Sequence, residues 1–210
     1  MEIMDLVNML ARWGHLLFGM TWIGLLYYFN FIQGGYFKSA TPEGLKDAKA
    51  KLAPEALWWF RWGAMFTFLT GLVLLAGVGK MHVMNDFIVV GAALGTLMFM
   101  NVWMIIWPNQ KIALGLVEGD AAAAGPKALL ASRTNVLFSG PMAFCMMAGP
   151  HFGGYGMGVG STAMWIALAI VAALFINGLK GKQGPMTTVR GVIVSSLVLT
   201  VVLVGILKAL

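Results

Sequence analysis

Residues 7–32 read VNMLARWGHLLFGMTWIGLLYYFNFI, an apolar run interrupted near its start by Arg12 and His15. About 20 predominantly apolar residues suffice for a helix to cross the hydrocarbon layer of a bilayer, so this stretch reads as a membrane span. At roughly 100° per residue, Arg12, His15, Gly19, Trp22, Asn30 and Gln33 share a stripe about 80° wide, whereas Leu16, Leu17, Phe18, Leu25 and Phe29 point elsewhere. Ionisable groups at membrane depth are costly enough to require a protein partner, a cavity or a ligand. The polar stripe is therefore predicted to face protein or a cofactor.

The remaining sequence continues in the same manner. With 60% hydrophobic residues, 10% charged residues and a mean hydropathy of +0.83, 210 residues cannot supply a soluble core and a polar shell. The fold class is all-α, a polytopic bundle of about six transmembrane helices forming a single integral membrane domain. The spans are predicted at 7–32, 57–79, 86–107, 128–150, 161–179 and 189–208. The first is too long for the apolar core of a secretory signal and precedes no small-residue cleavage pattern, so it is expected to remain as a span. Gly140-Pro141 interrupts the fourth and Arg133 sits near its start, which predicts a kinked or partly re-entrant segment. Thr41-Pro42-Glu43 and Ala53-Pro54-Glu55 read as helix starts, and Pro108-Asn109-Gln110-Lys111 reads as a sharp helix stop.

Of the fourteen Lys and Arg residues, eleven fall in the loops after spans 1, 3 and 5 or beside them, while Lys80 and Lys208 lie on the opposite side. The positive-inside rule then places both termini outward, in a protein expected in the bacterial inner membrane. The net charge of +6 is explained by orientation and contact with anionic membrane lipid rather than by nucleic acid. This topology brings all three histidines toward the outer side, with His15 two turns inside span 1, His82 after span 2 and His151 at the end of span 4. Gly153-Gly154-Tyr155-Gly156 reads as a flexible outer loop.

Cys145 is the sole cysteine, which excludes an internal disulfide, a Cys-x-x-Cys redox pair and a covalently attached c-type haem. A redox centre would need other ligands, and neutral imidazole is a common ligand of haem iron. His15 and His151 are the candidate metal ligands, although His15 lies about 10 Å inside the outer boundary at 1.5 Å per residue and His151 near the boundary itself. His15 also fits a histidine hydrogen-bonded to a neighbouring helix. Arg12, one turn outward, fits a clamp for a haem propionate or an anionic substrate, and equally a side chain snorkelling to the headgroups. Trp22 extends the same face as a candidate cofactor contact. His82, in a polar turn, reads as solvated. Asn101 and Asn135 are candidates for hydrogen bonds between helices. The aromatic clusters Trp58-Trp59-Phe60-Arg61-Trp62 and Trp103 to Trp107 suit interfacial belts, and the sixteen methionines suit packing. No phosphate loop, catalytic triad or paired carboxylates appear.

Arg12-Trp13-x-His15, Gly19-x-x-Trp22-Ile23-Gly24 and Tyr28-Phe29, followed by Pro54-Glu55 and Trp59-Phe60-Arg61-Trp62, resemble the membrane domain of bacterial cytochrome c-linked urate oxidases, or urate hydroxylases. Asn101-Val102, Pro108-Asn109-Gln110-Lys111 and the segment from Asn135 to His151 extend the resemblance over roughly residues 10–155, and the last two spans read as generic. The resemblance implies a membrane domain that oxidises a purine and passes electrons outward to a cytochrome c. Here that cytochrome would be a separate protein or a partner subunit. The first span also resembles that of bacterial haem-binding membrane protoporphyrinogen oxidases, where a histidine near the start of the first helix is implicated in haem binding. Both resemblances imply a redox role at His15, with a b-type haem as the expected cofactor and Arg12 as the cationic partner of its anionic group.

The sequence thus predicts a membrane oxidoreductase or electron-transfer subunit. Its competitors are a non-catalytic structural subunit of a larger oxidase or respiratory complex and a small-anion transporter. A homo-oligomer is compatible with each.

Overall fold

The computed structural model describes residues 3–80, 83–152 and 158–209; His82 and Gly153-Gly154-Tyr155-Gly156 lie outside the described residues. Six long helices dominate: α1 (Ile3–Ser39), α2 (Pro42–Gly79), α3 (Asp86–Ala113), α4 (Ala121–His151), α5 (Thr162–Lys180) and α6 (Val189–Ala209). No strand occurs among the described residues. All but α4 are long and apolar enough to cross a membrane, and the protein is an integral membrane protein. The helices α1, α2 and α3 outrun the predicted spans because the polar segments 33–39, 42–56 and 108–113 continue them as helix.

The helices α2 to α5 start where side-chain chemistry supplies the missing backbone partner. Thr41 Oγ1 accepts from Gly44 N ahead of Pro42, as the Thr-Pro-Glu signal predicted. Asn85 accepts from Ile88 N, Asp120 from Ala122 N and Ala123 N, and Ser161 from Met164 N. Asp86 ties two helices together: its carboxylate accepts from Gly160 N and from the Ser161 hydroxyl while occupying the first turn of α3.

Neither Pro141 nor Pro108 ends its helix. The helix α4 is not broken at Gly140-Pro141; it runs without interruption through Pro126, Pro141 and Pro150. Nor does Pro108 stop α3, because residues Asn101–Ile106 widen into π-helix immediately before it. The Trp107 N–H reaches back five residues to Val102 O, and the wider turn makes room for the proline ring that an α-turn would press against a carbonyl. Asn109 Nδ2 then donates to Ile105 O at 2.7 Å.

In α4, Ser132, Arg133, Thr134, Asn135 and Ser139 lower the hydropathy, yet every one is buried in protein. The helix packs against α3, α5, α6 and α1, so its polar residues never have to face lipid. Contacts with α3 run antiparallel along most of its length, from Asn101 with Asn135 at one end to Asn85 with Gly149 at the other. Between them, a Cβ on Gly91 would stand 3.2 Å from Cys145 Cβ, which shows how closely the two backbones approach. Phe87, Leu94, Met98, Val102, Phe138 and Leu203 fill the surrounding core.

The α1–α2 pair forms a second body of packing along one flank. Antiparallel approach sets Trp22 against Gly63 and His15 against Gly71, where added Cβ atoms would lie 3.2 Å from Trp22 N and from His15 Cε1. This pair joins α4 through the inner half of α1, at Tyr27 and Asn30.

Candidate functional site

The polar stripe of α1 has two levels. At the outer level, His15 is half-buried against α2, where Nδ1 lies 2.9 Å from Thr67 O and 3.2 Å from Thr70 Oγ1. A carbonyl oxygen only accepts, so Nδ1 carries the proton and donates. In the neutral ring Nε2 is then left with its lone pair, and it has no hydrogen-bond partner among the described residues. The Thr70 hydroxyl is itself held by Phe66 O at 2.6 Å and Thr67 O at 3.0 Å. Ring direction and tautomer are thus set by α2, the arrangement that metal-ligating histidines use to present a fixed nitrogen.

The other predicted site residues meet different surroundings. Arg12 is exposed and makes no hydrogen bond or ion pair among the described residues. Trp22 is 2% exposed, packed against α2, and its indole Nε1 has no partner. His151 is exposed as the last residue of α4, and no contact with His15 occurs among the described residues. The two histidines are not brought together. No group of three or more His, Cys, Asp or Glu that could hold a metal occurs among the described residues.

Further along α1, three hydrogen-bonded pairs, two of them buried and one part-buried, converge on one face of α4. Tyr27 Oη lies 2.9 Å from Ser139 Oγ, which donates to Val136 O; Tyr27 is therefore the donor to serine. Asn30 Nδ2 donates to Leu26 O at 2.8 Å and to Ser132 Oγ at 2.7 Å. Asn135 Nδ2 donates to Met98 O at 3.0 Å, so its Oδ1 accepts from Asn101 Nδ2 at 2.8 Å. These carbonyl bonds fix every amide orientation and leave Asn30 Oδ1 and Asn101 Oδ1 without a partner, although the two residues are 5% and 1% exposed. Both asparagines lie in π-helical segments, Tyr28–Gln33 and Asn101–Ile106, a geometry that recurs where a helix must aim a side chain.

Asn101 and Asn135, expected to bond across helices, do so with each other; Tyr27, Ser132, Ser139, Thr67 and Thr70 were missed. Ser132, Asn135 and Ser139 stand at i, i+3 and i+7, so their common face was readable. Identifying Thr67 and Thr70 required knowing that α1 packs on α2. The tryptophan clusters divide between roles: Trp58 and Trp59 are exposed as a belt requires, whereas Trp62 packs on Trp103 at 5.7 Å and Arg61 lies 3.9 Å over Trp107.

No curated protein and no solved structure matches the chain. A family described as urate oxidase N-terminal matches residues 79–204. The match includes His151, the Asn101–Asn135 pair, and the last two helices that the sequence reading took as generic; Arg12, His15 and Trp22 fall outside it. Since it spans α3 to α6 and more than half of the 210 residues, this chain belongs to the urate oxidase N-terminal family.

Proposed function

We propose that the protein is a membrane-bound oxidoreductase or electron-transfer subunit of the bacterial inner membrane, with His15 as a ligand of b-type haem and electrons leaving outward to a separate cytochrome c or a larger oxidase complex. Family membership supports the redox class. The observation that carries the site is the His15 Nδ1 bond to Thr67 O, which leaves Nε2 as a directed donor to iron. A single fixed imidazole would suit haem, in which the porphyrin itself supplies most of the iron's ligands. When bound, haem would supply one-electron transfer, its potential tuned by His15 and the hydrogen bond that holds the ring.

The residues of this chain then divide the work. Thr67 and Thr70 hold the ring; Arg12, one turn outward and free to swing, pairs with a propionate; Trp22 lines the same face further in. His151, exposed at the end of α4, is the candidate second ligand. The structural-subunit reading has one observation in its favour, since the same His15–Thr67 bond fastens α1 to α2 without any ligand.

Oxidised-minus-reduced absorbance of the detergent-purified protein separates the two. A Soret band and a sharp reduced α-band are expected, retained in His82→Ala and lost in His15→Ala with the protein still folded. A featureless wild-type spectrum, or unchanged haem content in His15→Ala, overturns the assignment.

A further inference from the structure

Two clefts meet at the end of the molecule where α4 begins and α5 ends. One, of about 630 Å³, is lined by Lys127 and Leu130 of α4 and by Leu179, Lys180 and Lys182. The other, of about 560 Å³, runs over Leu137 of α4, between Leu174 of α5 and Val194, Val198 and Val202 of α6. They adjoin at Lys182 and Gln183, so a groove with a basic mouth abuts one with an apolar floor. Val194 to Val202 extends about 12 Å along the helix.

The mouth is built rather than incidental. Lys127, Lys180 and Lys182 are exposed and form no ion pair among the described residues, so three cations converge without a counter-charge. The turn carrying two of them is held in place: Gly181 N donates to Asn177 O at 2.7 Å and Asn177 Nδ2 donates to Lys182 O at 3.1 Å. A cation cluster at the membrane boundary attracts phosphate, and basic pockets between transmembrane helices suit anionic headgroups. The apolar continuation selects the source of that phosphate. Free phosphate has no use for an apolar groove, whereas an acyl chain fills one.

We propose that the two adjoining grooves bind one anionic phospholipid, its phosphate against Lys127, Lys180 and Lys182 and an acyl chain lying between α5 and α6 over Leu137. The lipid completes the packing of α5 and α6 against α4 on a side where protein leaves a gap. This assignment is independent of haem at His15.

Native mass spectrometry of the protein in phosphatidylcholine nanodiscs, with phosphatidylglycerol added in steps, tests the proposal. One phosphatidylglycerol is expected to remain bound. A basic side chain near an anionic surface contributes about fivefold to affinity, so the triple variant Lys127→Gln/Lys180→Gln/Lys182→Gln should bind roughly a hundredfold more weakly. Removing the same charge at Lys38, Lys46 and Lys49 should leave binding within about fivefold. Val198→Trp, which fills the apolar floor, should expel the lipid with all lysines intact. Each single lysine variant carries its own fivefold loss, so the test stands if the triple variant does not fold. Unchanged binding in the lysine variants, equal loss in the control triple, or unchanged binding in Val198→Trp overturns the proposal. Displacement of phosphatidylglycerol by millimolar inorganic phosphate would identify a free-anion site and overturn it as well.

Discussion

Arg12 and His15 stand one turn apart on α1 and meet opposite environments, the first exposed and unpaired, the second held by two threonines of α2. If Arg12 clamps an anion beside His15, its value lies in the planar two-pronged guanidinium. Arg12→Lys should then retain part of the cofactor or substrate binding and Arg12→Gln least, with both variants inserted normally; haem content per protein, measured spectroscopically, is the readout. Wild-type binding and turnover in Arg12→Gln would identify a snorkelling residue instead. Helical phase made the stripe legible in the sequence: His15, Gly19 and Trp22 do face α2, and Asn30 faces α4. The partner atoms were not legible, because Thr67 O is a backbone group on another helix and a single sequence gives no sign of which helix packs where.

At the scale of the element, α4 carries the most information and was the hardest to read. Its hydropathy is diluted by residues that make its contacts, and Gly140-Pro141 resembles a break. Gly140 has another use: a Cβ there would lie 2.5 Å from Ser196 Oγ and 3.1 Å from Thr200 Oγ1, so glycine lets α6 lie close. Gly140→Val should destabilise the detergent-solubilised protein by about 1–3 kcal/mol, as overpacking does. Adding Ser196→Ala, which removes the nearest atom, should recover part of the loss in a thermal-denaturation series. Equal stability of wild type and Gly140→Val would mean that α6 does not approach as described. The π-turn ahead of Pro108 was hidden for a similar reason, since proline announces a lost hydrogen bond without saying whether the chain stops or widens to absorb it.

At the scale of the whole molecule, composition and hydropathy were enough to read an all-α membrane bundle, and one helix start followed from Thr41-Pro42-Glu43, whereas the start of α4 at Asp120 was not read. What composition could not show is the grouping: α1 with α2 along one flank, and α3, α5 and α6 around α4. The charge asymmetry predicts that both termini face outward. Reporter fusions near Lys49 and at the C-terminus should therefore report opposite compartments; the same compartment for both would remove α4 from the set of crossings. The polar face of α4 also orders events during biogenesis. A nascent chain that has reached only His151 can offer α4 the asparagines and Tyr27 of α1 and α3, but the side that receives Gly178 and Ser196 is still untranslated or unplaced. Thr134 and Gly140 then await helices that emerge later, so α4 settles laterally into its final position only once the last two spans have left the translocon. The helix that organises the bundle is among the last to become fully enclosed.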